Sequence, residues 1–167
     1  MASPTSMSAV ESNGISILYY TRSNGQIASL TAQISPEDPE NPEYVTANIM
    51  FSGNAVSAAA PQVTAVAYTL EGNREIRLYY IAGNDQDGYK LKELCKTNDE
   101  DWKNGTLSNN GFVATKDSLL AANVEDRQGD LKVFFQRQNE GKKEPWVAWV
   151  VLGQTTWSQR RVYSGTY

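Results

Sequence analysis

Chemistry in this chain has to proceed without histidine. None occurs in its 167 residues, so the commonest general base, the usual partner of a catalytic serine and the commonest zinc ligand are missing together. The residues that remain notable by type and spacing are Arg77, third in "EIRLYY" (75–80), and Glu93 in "KLKELCK" (90–96). A charge in so apolar a run needs a reason. Alternation along an extended segment puts Ile76, Leu78 and Tyr80 on one face and Arg77 with Tyr79 on the other, and across a short hairpin Glu93 stands where it can face the arginine. A planar fork of donors beside a carboxylate grips vicinal hydroxyls through charge-assisted bonds. The same two residues also make an ordinary cross-strand ion pair worth roughly 0.2–1 kcal/mol.

Other candidates have plainer readings. Cys95 alternates within its segment as a small buried hydrophobe, and no histidine is present to activate it as a nucleophile. The acidic run "NDEDW" (98–102) lacks the spaced ligands and glycine of a calcium loop and reads as a solvated loop, so no metal or cofactor is expected. "NGT" at Asn104 fits a glycosylation sequon but equally makes a turn, and the turn is the reading adopted. Trp146 and Trp149 stand three apart and face opposite sides of a strand, one toward the core and one toward a groove or interface.

Composition narrows the partners. A formal charge of −4 with no basic tract argues against nucleic acid, whose sequence-independent affinity comes from Lys and Arg. No apolar run is long enough to cross a bilayer. The start "MASPTSMSAVES" has neither a basic nor an apolar leader region, so a cytoplasmic protein, or one secreted by a route without a signal peptide, is expected. The length fits a single domain over 1–167.

The segments that must position Arg77 and Glu93 read as strands. "TKDSLLAANVEDRQGDLK" bunches its apolar residues and is cut by Gly129, so it makes a poor helix. Short apolar runs recur between turn clusters such as "RSNGQ", "EGNRE", "GNDQDG" and "SNNG". They also repeat: "ISILYY", "EIRLYY" and "DLKVFF" end at Tyr20, Tyr80 and Phe135, at intervals of 60 and 55 residues. Trp102 follows Arg77 by 25 residues, and Trp157 follows the equivalent Lys132 by the same 25. A small-residue run precedes each of these strands ("MSAVES", "VTAVAY", "LLAANV"). A second strand follows ("QIASLTAQ", "KLKELCK", "PWVAWVVL"), then a looser segment ("YVTANIMFSG", "DWKNGTLS", "TWSQRRVY").

Four strands per repeat with the smallest side chains innermost suit the blades of an all-β propeller, three to the chain, over about 6–57, 62–112 and 116–167. A tandem sandwich is the other arrangement such repeats allow. "SPEDPENPEY" (35–44), acidic and proline-rich, cannot be an interior strand and reads as an extended surface loop. Three blades do not close a ring, and open blade faces leave strand edges and apolar surface exposed. A homodimer with six blades is therefore expected. Comparison of the repeats places Leu18 and Lys132 at the arginine position and Ser29 and Ala148 at the glutamate position, so the pair is confined to the second blade.

"IRLYY", "LKEL", "DWKNGTL" and "LLAANV" resemble one repeat of the fungal fucose-specific lectins, whose pattern runs I-R-V-Y, G-K-I-x-E, W-x-x-G. The resemblance covers most of the chain as a repeat and is sharpest from about Ala65 to Phe135. It implies a six-bladed propeller that binds fucose, or fucosylated glycans, between adjacent blades without catalysis. Carried over, Arg77 and Glu93 would hold ring hydroxyls, Trp157 of the next blade would pack on the apolar side, and Thr106 would sit at the edge. A second aromatic platform falls on Val151, with Trp149 nearby as a substitute. A propeller scaffold or effector with protein partners is the alternative. A glycoside hydrolase would need a second carboxylate, and the adjoining cation is expected to lower the Glu93 pKa and spoil it as an acid.

Overall fold

The computed structural model describes residues 6–33, 44–125 and 129–163. It is built of three antiparallel sheets, two of four strands and one of five, each following an up-and-down meander through four strands. The first holds β1 (Met7–Ser12), β2 (Ile15–Thr21), β3 (Ile27–Ala32) and β4 (Tyr44–Asn48). A small hairpin, β5 (Met50–Phe51) with β6 (Asn54–Ala55), leads to the second sheet. That sheet holds β7 (Val63–Leu70), β8 (Asn73–Asn84), β9 (Gly88–Thr97) and β10 (Lys103–Asn104). The 3₁₀ turn Thr106–Asn110 follows, and β11 (Val113–Ala114) adds to β9. The third holds β12 (Ala121–Glu125), β13 (Asp130–Asn139), β14 (Lys142–Val151) and β15 (Ser158–Arg161). These are the three expected blades. The stretch expected as an extended surface loop, Ser35 onward, lies outside the described residues except for Tyr44.

The expected small-residue runs are the inner strands β1, β7 and β12, and both outer blades contact the second through β7. Small side chains let these backbones approach: Ser8 Oγ accepts the N–H of Ala65 at 2.9 Å, so an edge donor of one blade is satisfied by the next. Alternation then sorts the core. Ile76, Leu78 and Tyr80 pack with Tyr19, Ile27 and Ile49 toward the first blade. Tyr79 and Ile81 pack with Leu131, Val133, Phe135 and Trp157 toward the third. A blade with two apolar faces is stabilised only when both are covered, at about 25 cal/mol per Å².

The strand registers correct three details. Arg77 stands directly opposite Cys95, whereas Glu93 stands opposite Tyr79, so the two charges meet diagonally. In the first blade the residue equivalent to Arg77 is Ile17, opposite Thr31, while Leu18 points to the other face opposite Leu30. In the third, Lys132 faces Trp149, and the counterpart of Glu93 is Val147, opposite Phe134, one residue from the expected Ala148.

Candidate functional site

Arg77 lies on the face of β8 that meets the third blade, beside Tyr79 and over the interblade core. Its Nε donates to Tyr68 Oη at 3.0 Å, Nη2 pairs with Glu75 at 3.2 Å and Nη1 with Glu93 at 3.8 Å. An N–H of the same fork meets Cys95 Sγ. Glu75 shares the arginine because residues two apart on a strand share a face. Burial works against the Arg77 charge, but Cys95, Tyr68, Glu93 and Glu75 around it reverse that effect and hold its pKa above the ordinary value.

Glu93 is the more confined partner, with its side chain 1% exposed. Its Oε2 accepts the Leu107 N–H at 3.0 Å and its Oε1 the Tyr79 hydroxyl at 3.3 Å. Ser108 brackets its backbone, accepting the Glu93 N–H at 2.9 Å and donating to the Glu93 carbonyl at 3.1 Å. Burial raises the Glu93 pKa, and Arg77, the Leu107 N–H and Tyr79 offset this only in part. The expectation that the arginine would bring this pKa down is therefore corrected, because desolvation outweighs the cation.

The glycine of "DWKNGTL" explains the confinement. Gly105 donates its N–H to the Glu93 carbonyl at 2.9 Å, and a Cβ placed on it would lie 2.1 Å from Glu93 Oε2. Its φ of −78° suits any residue, so the glycine is required by space alone. "NGT" then opens the 3₁₀ turn, which brings the Leu107 N–H and Ser108 onto the glutamate.

Trp157 closes the site from the third blade. It is 5% exposed, meets Tyr79 edge-on at 6.3 Å and donates its Nε1–H to Thr106 Oγ1 at 3.0 Å. Arg77, Glu93, Thr106, Trp157 and Val151 thus border one cavity of about 20 Å³ at the junction of the second and third blades. That is room for about one water molecule or one hydroxyl group. Trp149 is not among them. It stands on the opposite face of the third blade, with Lys132, Phe134, Val147 and Arg160 around a trough of about 450 Å³. Trp146, three residues earlier, packs on the core as the alternation requires, with Arg137 over its ring at 4.2 Å.

Tyr68, Glu75 and Gly105 are site residues that sequence reasoning did not single out. Glu75 was visible as a second charge at the same parity as Arg77, and Gly105 as the fixed glycine of W-x-x-G. The acidic run from Asn98 is engaged locally, Asp99 with Arg74 at 3.0 Å and Glu100 with Lys103 at 2.6 Å.

The equivalent cavity between the first and second blades is larger, about 390 Å³. It keeps the edge-on aromatic pair, Tyr19 with Trp102 at 5.9 Å, but Ile17 and Ser29 replace the charged clamp. Sequential four-stranded blades, packed face to face with a cavity at each junction, are the repeats of a β-propeller. The chain belongs to the fungal fucose-specific lectin family, whose model matches residues 3–159.

Two solved structures share the fold. A triple arginine-to-alanine mutant of AofleA from Arthrobotrys oligospora superposes with a TM-score of 0.64 at 17% identity, over 93% of this chain and 40% of that one. The fucose-specific lectin from Aleuria aurantia, as a mercury derivative, gives 0.61 at 16% identity, over 93% of this chain and 47% of that one. The chain therefore spans less than half the length of these structures. Among curated protein sequences no match was found.

Proposed function

We propose that the chain is a non-catalytic, carbohydrate-binding lectin that recognises L-fucose or fucosylated glycans at the Arg77 cavity. The observation that carries the reading is the convergence of Arg77, Glu93 and Thr106 of the second blade with Trp157 of the third on one crevice. Family membership supports the ligand class. A cavity of about 20 Å³ does not take a pyranose ring, so the ring lies across the mouth and sends one hydroxyl inward to the charged fork. Charge-assisted bonds from Arg77, which is 22% exposed, then supply orientation. Val151 at the rim supplies apolar contact. One clamp and a shallow rim give roughly −4 to −8 kcal/mol per site, or millimolar to micromolar affinity.

Such weak sites act through multivalency, and a homodimer closing a six-bladed ring would carry two. Ion pairing of Arg77 within its own blade favours a second reading, a propeller scaffold with protein partners. A glycan array and calorimetric titration with fucose separate the two. The lectin reading expects fucosylated glycans to bind, and Arg77→Lys, which keeps the charge beside Glu93 and loses the fork, to weaken binding at least tenfold in a chain whose far-ultraviolet circular dichroism shows it still folded. A wild-type chain that binds no glycan overturns it.

A further inference from the structure

The cavity between the first and second blades lacks the arginine and glutamate clamp and carries charge of the opposite sign. Around Arg77 two carboxylates, Glu75 and Glu93, share one guanidinium, which leaves that junction with an acidic excess. At the other junction Arg74 is paired with Asp99 at 3.0 Å, and Lys96 adds a second cation to the same lining. Among the described residues no carboxylate pairs with Lys96. Two cations against one carboxylate make this cavity locally basic in a chain whose formal charge is −4.

Strand parity brings Lys96 to the lining. It stands opposite Ile76 and shares a face with Leu94, two residues earlier, which packs toward the first blade. Its side chain is only partly exposed. An ammonium without a fixed counter-ion beside a partly apolar crevice is available to an incoming anion, and the low dielectric of the walls strengthens that pair over one in open water.

The rest of the lining suits a ring. A volume of about 390 Å³ lies within the range of roughly 300–1,000 Å³ that takes small molecules, whereas the Arg77 cavity has about 20 Å³. Ile17, Ile49 and Ile76 offer apolar contact beside Trp102, which stays partly exposed where its counterpart Trp157 is 5% exposed. The first blade supplies Ser29 and Thr31, two apart on β3 and so on one face. Neither hydroxyl is hydrogen-bonded among the described residues.

We propose that this cavity is a second binding site, for a small ring that carries both hydroxyls and a carboxylate, a sugar acid of the hexuronate class. The carboxylate pairs with Lys96, the ring packs beside Trp102 and the isoleucines, and the ring hydroxyls meet Ser29 and Thr31. The acidic excess at the Arg77 junction repels the group that Lys96 attracts, so the two cavities differ in sign as well as in capacity. Nothing in this site depends on the fucose reading.

Calorimetric titration with methyl glucuronide, and with methyl glucoside as its uncharged twin, tests the proposal. The wild type binds the glucuronide with a millimolar dissociation constant, and the glucoside at least fivefold more weakly. Lys96→Met keeps the length of the stem and removes the charge, and it brings the glucuronide down to the level of the glucoside. Raising the salt from about 0.1 to 1 M, which shortens the Debye length from about 10 to 3 Å, weakens the glucuronide alone. Ser29→Leu fills part of the cavity and weakens both sugars in a chain that circular dichroism shows still folded. A wild type that binds no glucuronide up to about 10 mM, equal affinity for the twins, or a Lys96→Met chain that binds as the wild type does overturns the proposal. Displacement of the glucuronide by excess fucose also overturns it, because the sugar acid would then occupy the Arg77 cavity. A chain that binds glucuronide but no fucose supports this site and overturns the fucose reading.

Discussion

Replacing Gly105 by alanine adds one methyl group to a position whose backbone accepts it. At φ −78° and ψ 157° the substitution should, on backbone entropy alone, stabilise the chain by about 0.4–1 kcal/mol. The space is occupied, however: the new Cβ would lie 2.1 Å from Glu93 Oε2 and 2.3 Å from its Cδ and Cγ. A surface glutamate would swing away, but this one is sealed in. Moving it breaks the bonds from the Leu107 N–H and the Tyr79 hydroxyl and leaves Arg77 without its inner partner. Disrupting a buried charged network costs about 3–5 kcal/mol, so the net expectation is a loss of about 2–4 kcal/mol. For a chain of this length that is a fall in Tm of roughly 5–15 °C.

Urea unfolding followed by tryptophan fluorescence measures the loss. Repeating Gly105→Ala in a Glu93→Ala background isolates its cause, since with the carboxylate gone the methyl group has room and the substitution should be neutral or stabilising. Equal cost in both backgrounds, or a Gly105→Ala variant as stable as the wild type, would refute the steric argument.

Arg77→Ala should destabilise by about 3–5 kcal/mol, because it strands Glu93 in the core; equilibrium denaturation that leaves stability within 1 kcal/mol of wild type would contradict the buried network. Trp157→Phe keeps the ring against Tyr79 and loses the Nε1–H bond to Thr106, for a cost of about 1 kcal/mol, and Thr106→Val should add little on top in a double-mutant cycle. Burial pushes the Cys95 thiol up to about 12. Between pH 9 and 12 the unfolded chain has released this proton while the folded chain keeps it, so stability falls as pH rises through that window. The buried Tyr19 and Tyr79 hydroxyls, also shifted upward, act in the same sense, and Cys95→Ala should flatten the slope of a denaturation series without abolishing it.

The fold was legible because the period of two and the recurrence of whole strands are both local properties of the sequence. MSAVES, VTAVAY and LLAANV fall at β1, β7 and within 119–124 beside β12, where the expected inner strands lie. That Arg77, Glu93, Thr106 and Trp157 line one cavity was legible for the same reason. Assigning the positions equivalent to Arg77 and Glu93 in the other blades was harder. Counting back three from the aligned strand ends Tyr80 and Tyr20 reaches Arg77 and Ile17, so Leu18 is one residue off, and a slip of one turns a side chain to the opposite face. In the third blade the hairpin is only Glu140–Gly141, and counting across it reaches Ala148 where the register has Val147. Trp149 was misplaced relative to the cavity by the same parity.

The space beside Glu93 also governs how such a clamp could be transplanted. Ala47 stands opposite Ser29 in the first blade and Arg160 opposite Val147 in the third, where Gly105 stands in the second. Ser29 and Val147 border cavities of about 390 and 450 Å³, so a glutamate at either has room but not the close seat made for Glu93 by Gly105 and the Leu107 N–H. Grafting the charged pair alone would therefore give a solvated carboxylate rather than a fixed one, and the glycine with its 3₁₀ turn has to travel with it.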